Sequence, residues 1–157
     1  MILMNEKQYT KWAQDVFRKF VRLTERENNH LEFAQMDTYT YIFNKKNGKS
    51  AFARISPKDK YTNWVGLSVA FTRYLHKEVP IKVKQISSAE CRKLPVGTDM
   101  IVRWGSGSKV RCNFSGIHHE NEELWFATKQ DKVMFGAAED RVTVDQKNRD
   151  VELYVVL

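Results

Sequence analysis

Residues that break or cross-link a chain are scarce: three prolines, seven glycines and two cysteines in 157 residues. Cys91 and Cys112 can form one disulfide at most, and an intracellular chain keeps both as thiols. No run approaches the ~20 consecutive apolar residues of a membrane span. Met1 to Met4 gives way at once to Asn5, Glu6 and Lys7, so neither a secretion signal nor a membrane anchor is expected. The expected location is the cytoplasm. Neither an internal repeat nor a low-complexity tract is present, which excludes solenoid and linker-like architectures.

The familiar chemical spacings are also missing. Cys91, Cys112, His118 and His119 are potential zinc ligands, but no C-x2-C or H-x3-H pair brings them together. Trp104-Gly105-Ser106-Gly107-Ser108-Lys109 lacks the G-x4-G-K-[ST] spacing that wraps phosphates and reads as a hairpin loop. Pro57-Lys58-Asp59-Lys60 echoes metal-dependent nuclease motifs, which need two or more carboxylates on adjacent strands, and Asp59 is the one acid there. Cys112 sits in an alternating strand, where a small apolar residue packs. With no paired carboxylates, triad order or cofactor fingerprint, the expectation is a protein without catalytic activity, cofactor or metal.

What the chain does have is core-forming material and positive charge. Hydrophobic residues make up 42% and aromatics 12%, enough for one sizeable core or two small ones and against disorder as the dominant state. The net charge of +7 favours anionic partners: nucleic acid, a ribonucleoprotein or an acidic protein surface.

Tyr9, Trp12, Ala13, Val16, Phe17, Phe20 and Val21 recur at helical spacing, while Lys11, Asp15, Arg18, Lys19 and Arg22 hold the opposite face. This predicts a first helix ended by the polar run 24–30. Residues 38–43 and 49–55 are strand-like around an Asn47-Gly48 turn, a β-hairpin. Pro57 stops the second strand, and Trp64, Leu67, Phe71, Tyr74 and Leu75 form the stripe of a second helix that runs until Pro80. Residues 81–86 alternate apolar residues with lysine as an exposed or edge strand, and 87–94 is either a short helix or a linker.

The domain boundary is placed in that segment, giving a helix–hairpin–helix α+β domain over 1–88 and a second domain over 95–157. Short strands predicted at 100–104, 109–114, 124–128, 133–135 and 141–144 suggest a small SH3-like β-barrel. Residues 151–157 either close that barrel or return to the N-terminal sheet.

Charge is uneven. Residues 45–111 hold 15 Lys or Arg against four acids, a balance of +11, whereas residues 114–157 come to −4. The candidate contacts for nucleic acid or a partner are therefore Lys45, Lys46, Lys49, Arg54, Lys58, Lys60 and Arg73 around the hairpin and second helix. Arg103, Trp104, Lys109 and Arg111 are added from the second domain. Lysine and arginine neutralise phosphates, and exposed aromatics such as Trp104 or Tyr61 stack on unpaired bases.

Ala51-Phe52-Ala53-Arg54-Ile55-Ser56-Pro57-Lys58-Asp59-Lys60-Tyr61, followed by Gly66 and then Ala70-Phe71-Thr72-Arg73, resembles a segment of small accessory proteins of phages of Gram-positive bacteria. In those proteins a strand leads into C-H-P-D-D-x-F and a glycine-bearing helix, and a V-G-D-x-V phrase then opens a small barrel. Here Val96-Gly97-Thr98-Asp99-Met100-Ile101-Val102 looks like a diverged version of that phrase, and Ile55-Ser56 and Lys58-Asp59 replace the Cys-His and the paired acids. The resemblance implies a phage or prophage accessory gene, working in the host cytoplasm near replication, recombination or anti-defence functions. It makes the leading expectation an anti-CRISPR-type inhibitor that occupies the surface of a host defence nuclease or ribonucleoprotein. The alternative is a DNA- or RNA-binding accessory protein acting through the basic 45–111 segment. Oligomeric state is not readable from the sequence.

Overall fold

A reciprocal pair of hydrogen bonds starts the first helix: the Gln8 amide donates to Asn5 Oδ1 at 2.8 Å and the Asn5 amide to Gln8 Oε1 at 2.9 Å. Two of the amides that a helix start leaves unpaired are thereby satisfied. The structure is a computed structural model that describes residues 1–26, 30–36, 38–54, 63–128 and 141–157. The protein is α+β, with three helices, a seven-stranded sheet and a three-stranded sheet among the described residues. It divides into two compact units, Met1–Ile81 and Lys82–Leu157.

The N-terminal unit runs β1 (Leu3–Met4), α1 (Glu6–Arg26), β2 (Leu31–Met36), β3 (Tyr39–Asn44), β4 (Ser50–Arg54) and α2 (Asn63–Tyr74). Strands β2, β3 and β4 form an antiparallel meander. Asn47 and Gly48 turn β3 into β4 as the sequence predicts, with Gly48 at φ +74° and its amide donating to the Asn44 carbonyl at 2.9 Å. Strand β2 is not among the expected elements, although Leu31, Phe33 and Gln35 do alternate along it. Phe20, Ile42, Ala53, Leu67, Ala70, Phe71 and Tyr74 make the core of this unit.

Helix α2 is buried on most sides from Gly66 to Tyr74. The Ser68 hydroxyl lies 2.6 Å from the Ala13 carbonyl of α1 and 2.7 Å from that of Trp64, so this buried polar group is satisfied at the helix pair. The helix stops well before Pro80. His76 adopts φ +55°, its amide donates to Arg73 O and the Lys77 amide to Thr72 O, a Schellman ending that satisfies two carbonyls. Leu75, expected on the buried stripe, is 40% exposed beyond this stop.

In the C-terminal unit, β5 (Ile81–Ile86) leads to α3 (Ser88–Cys91), then β6 (Asp99–Trp104), β7 (Lys109–Ile117), β8 (Leu124–Thr128), β9 (Arg141–Val144) and β10 (Val151–Val156). Segment 87–94 thus contains a short helix, started by a capping box between Ser87 and Glu90. Six strands run in the order β5-β10-β6-β7-β8-β9. The strand expected at 133–135 lies outside the described residues.

Among the described residues the sheet does not close, and an SH3-like barrel is not confirmed. A strand has two hydrogen-bonding edges. Closure needs the two end strands of the order to pair, and β9, the last, pairs with β8 alone among the described residues. One face of the sheet buries Met100, Val102, Cys112, Phe114, Leu124, Phe126, Val144 and Leu153, with Cys91 of α3 beside them. A bulge between Phe114 and Gly116 shifts the β7–β8 register, and Gly116 takes φ +115° there.

Cys91 is fully buried, its Sγ 3.9 Å from Met100 Sδ, and burial pushes its thiol up from 9.0 to about 11. The folded state therefore holds the proton more tightly than the unfolded chain. Its contribution is complete below pH 9 and is lost as pH rises from about 9 to about 11, a fall of about 2–3 kcal/mol for a shift of this size. The stability difference between wild type and Cys91→Ala, read from urea melts, should be constant from pH 7 to about 9 and shrink above it. A difference that stays flat to pH 11 would contradict this account.

Candidate binding surface on the N-terminal sheet

Strand alternation sends successive side chains to opposite faces, and β3 carries large residues on both. Thr40 and Ile42 are fully buried on the helix side, as is Ala53 of the neighbouring strand at 2% exposure. Tyr39, Tyr41 and Phe43 therefore point the other way. The register sets Phe52 opposite Tyr41 and Arg54 opposite Tyr39 on β4, with Ala34 and Met36 opposite the same two tyrosines on β2.

Three of these rings form a cluster. Ring centroids are 6.0 Å apart for Tyr39 and Tyr41, 6.1 Å for Tyr39 and Phe52, and 5.9 Å for Tyr41 and Phe52. The Arg54 guanidinium lies over the Tyr39 ring at 5.7 Å, a cation–π contact. Phe52 is 53% and Met36 62% exposed. Among the described residues no helix of the unit packs on this face, and large apolar side chains grouped on such a face mark an interaction surface more often than a solvated one.

The expected contact residues are distributed unequally. Arg54 belongs to this face. Lys45 sits at the turn and pairs with Glu32 of β2, which projects from the same face. Lys46 is exposed beside it. Lys49 turns to the helix side, its Nζ 4.3 Å from the Tyr74 ring centroid. Arg73 of α2 reaches the β4 edge and donates to the Phe52 carbonyl at 2.9 Å. Lys58, Lys60 and Tyr61 lie outside the described residues.

The second-domain group is placed differently. Arg103, Lys109 and Arg111 share one face of the β6–β7 ladder, but acids meet two of them. Arg111 donates to both Asp99 carboxylate oxygens, at 3.2 and 2.8 Å, and this pairing raises its pKa further, partly offset by burial. Arg103 lies 3.8 Å from Glu152, which also accepts the Tyr154 hydroxyl; burial first, then Glu152, raises the pKa of Tyr154. Trp104 is in phase with Val102 and packs partly buried against the core. Trp104 therefore stands on the core side of the sheet.

The paper zinc site does not assemble among the described residues. Cys91 and Cys112 are buried in the core, outside any disulfide, while His118 bonds Asn121 Oδ1 through Nδ1 at 2.8 Å and stacks on Trp125 with centroids 4.7 Å apart. No cluster of three or more potential metal ligands occurs among the described residues. No helix among them is long and apolar enough to cross a membrane. Comparison with protein-family models, curated proteins and solved structures finds no match to the chain. The surface has to be understood from its own residues.

Tyr39, Tyr41, Phe52 and Met36 are absent from the sequence-based candidates. A signal for them existed: in Tyr39-Thr40-Tyr41-Ile42-Phe43 a strand covered on one face should alternate with polar residues, yet one phase is wholly aromatic and the other holds Ile42. A concavity of about 370 Å³ lies between α1 and β2, with Phe17, Phe20, Val21, Leu31, Phe33 and Leu67 as its apolar walls and Thr24 and Glu32 as its polar ones.

Proposed function

We propose that this chain is a non-enzymatic binding protein of phage type that inhibits a host nuclease or defence complex by occupying part of its surface, with the Tyr39–Tyr41–Phe52 face as the contact. The observation that carries this reading is the uncovered aromatic cluster, flanked by Arg54 and Met36. Tyrosine, phenylalanine, methionine and arginine are the residues enriched where one macromolecule seats on another. Each ring here is set by strand alternation and cross-strand packing, so little side-chain freedom is lost on binding.

The test is a plasmid-interference assay in cells carrying an RNA-guided DNA nuclease. Expression of the protein is expected to restore transformation by a targeted plasmid, and Phe52→Asp, on an exposed position, should abolish that protection while the purified variant keeps the wild-type circular dichroism spectrum. Absence of protection across representative nuclease types, or full protection by Phe52→Asp, would sink the proposal.

A further inference from the structure

We infer that the Tyr39–Tyr41–Phe52 face binds an unpaired nucleic-acid strand, bases stacking on the rings and phosphates meeting the cations at either end. This rests on the reading of that face as the contact surface and names what occupies it.

The dimensions suit a few nucleotides. From Phe43 to Tyr39 the strand advances about 13 Å at ~3.3 Å per residue. Sheet-borne aromatics characteristically stack two or three bases. Duplex bases already stack on one another, so exposed aromatic rings on a sheet select unpaired strands, and every base offers a π-face whatever its sequence.

Charge decides between a strand and an apolar protein surface. Arg54 stands at the Tyr39 end, and Lys45 and Lys46 stand at the β3–β4 turn by the other end. Among the described residues of this face the one acid is Glu32, and Lys45 engages it. Both partners are about half exposed, at 56% and 44%. Such a pair is weak, and a phosphate can replace the carboxylate on the lysine. An apolar partner would gain nothing from these cations, whereas a polyanion gains from each of them.

The experiment measures fluorescence anisotropy of the full chain with labelled oligo-dT and oligo-U strands of about twelve nucleotides, within the length range of single-strand sites, and with a DNA duplex of equal length, over a salt series. Expected are preference for both single strands over the duplex and a steep fall of affinity with salt. Phe52→Ala and Tyr41→Ala should each weaken binding about ten- to a hundredfold. Arg54→Gln should flatten the salt slope, and Glu32→Gln should tighten binding severalfold by releasing Lys45. The ratio of oligo-U to oligo-dT affinity tells RNA from DNA as the preferred strand. No binding at low salt, equal binding of the duplex, or affinity unchanged in Phe52→Ala would each overturn the inference. Loss of plasmid protection by Phe52→Asp alongside absent oligonucleotide binding would leave the inhibitory function standing, with a protein surface as the occupant. Oligonucleotide binding without protection would refute the inhibitor and keep the strand.

Discussion

Phe126→Ala is expected to lower the stability of the C-terminal unit by about 3–5 kcal/mol, the usual cost of removing a buried phenylalanine ring. Phe126 is fully buried, and its ring lies 5.7 Å from that of Phe114, directly across the β7–β8 ladder. The loss has two sources: the ring's own transfer from water, and the cavity left where Phe114, Leu124 and Val144 cannot all move in. Strand β8 pairs on both sides, with β7 and β9, so its backbone is not free to collapse into the space. Urea unfolding followed by circular dichroism should show a lower midpoint at unchanged slope. A loss under about 1 kcal/mol would mean that the site is less tightly packed than its burial indicates.

The second large effect separates the two faces of β3 and β4. Ile42→Asp places a carboxylate among Phe20, Ala53, Leu67 and Phe71, where no cation is at hand among the core residues. An unpaired buried charge costs several kcal/mol, comparable with the whole stability of a small domain. The N-terminal unit is expected to unfold, or to fold only at low pH with the carboxyl protonated, which a midpoint rising towards acid pH would reveal. Phe52→Asp, on the opposite face and 53% exposed, should change stability by less than about 1 kcal/mol while abolishing plasmid protection. Equal destabilisation by the two variants would show that the aromatic face is itself covered and disqualify it as a contact surface.

Helix α1, the β3–β4 hairpin, helix α2 and most of the C-terminal strands are legible from spacing and turn residues alone, because their cause is local. Thirteen residues of helical periodicity, or an Asn-Gly between two β-rich runs, act within a few residues of themselves. The end of α2 was local too, but its signal is a left-handed histidine at position 76 rather than the more conspicuous Pro80. Strand β2 was hidden by its exposed Phe33 and Met36, which weaken the contrast between its faces.

The candidate site was legible in part for a different reason. Segment charge brought out Arg54, Lys45 and Lys46, which lie on or beside the aromatic face, but it was summed over residues 45–111 without the acids that lie outside that window. Glu32 comes from an upstream strand and Glu152 from the last one, and each reaches a basic residue only through strand pairing. An isolated aromatic at the end of a strand, such as Trp104, does not declare its face; its phase with Val102 and Met100 does, once the core side is known.

The sequence by itself determined most of the helices and strands, where the β3–β4 turn falls and that the chain is basic, since these follow from side-chain spacing, backbone preference and formal charge. Tertiary structure alone decided three things. It set β10 between β5 and β6 and left the sheet unclosed among the described residues, because hydrogen-bonding edges are allotted between strands distant in sequence. It brought acids from outside the basic segment, Glu32 and Glu152, against Lys45 and Arg103. It also gathered Tyr39, Tyr41 and Phe52 onto one uncovered face, because the helices cover the opposite side of the sheet and the register of two strands sets those rings side by side.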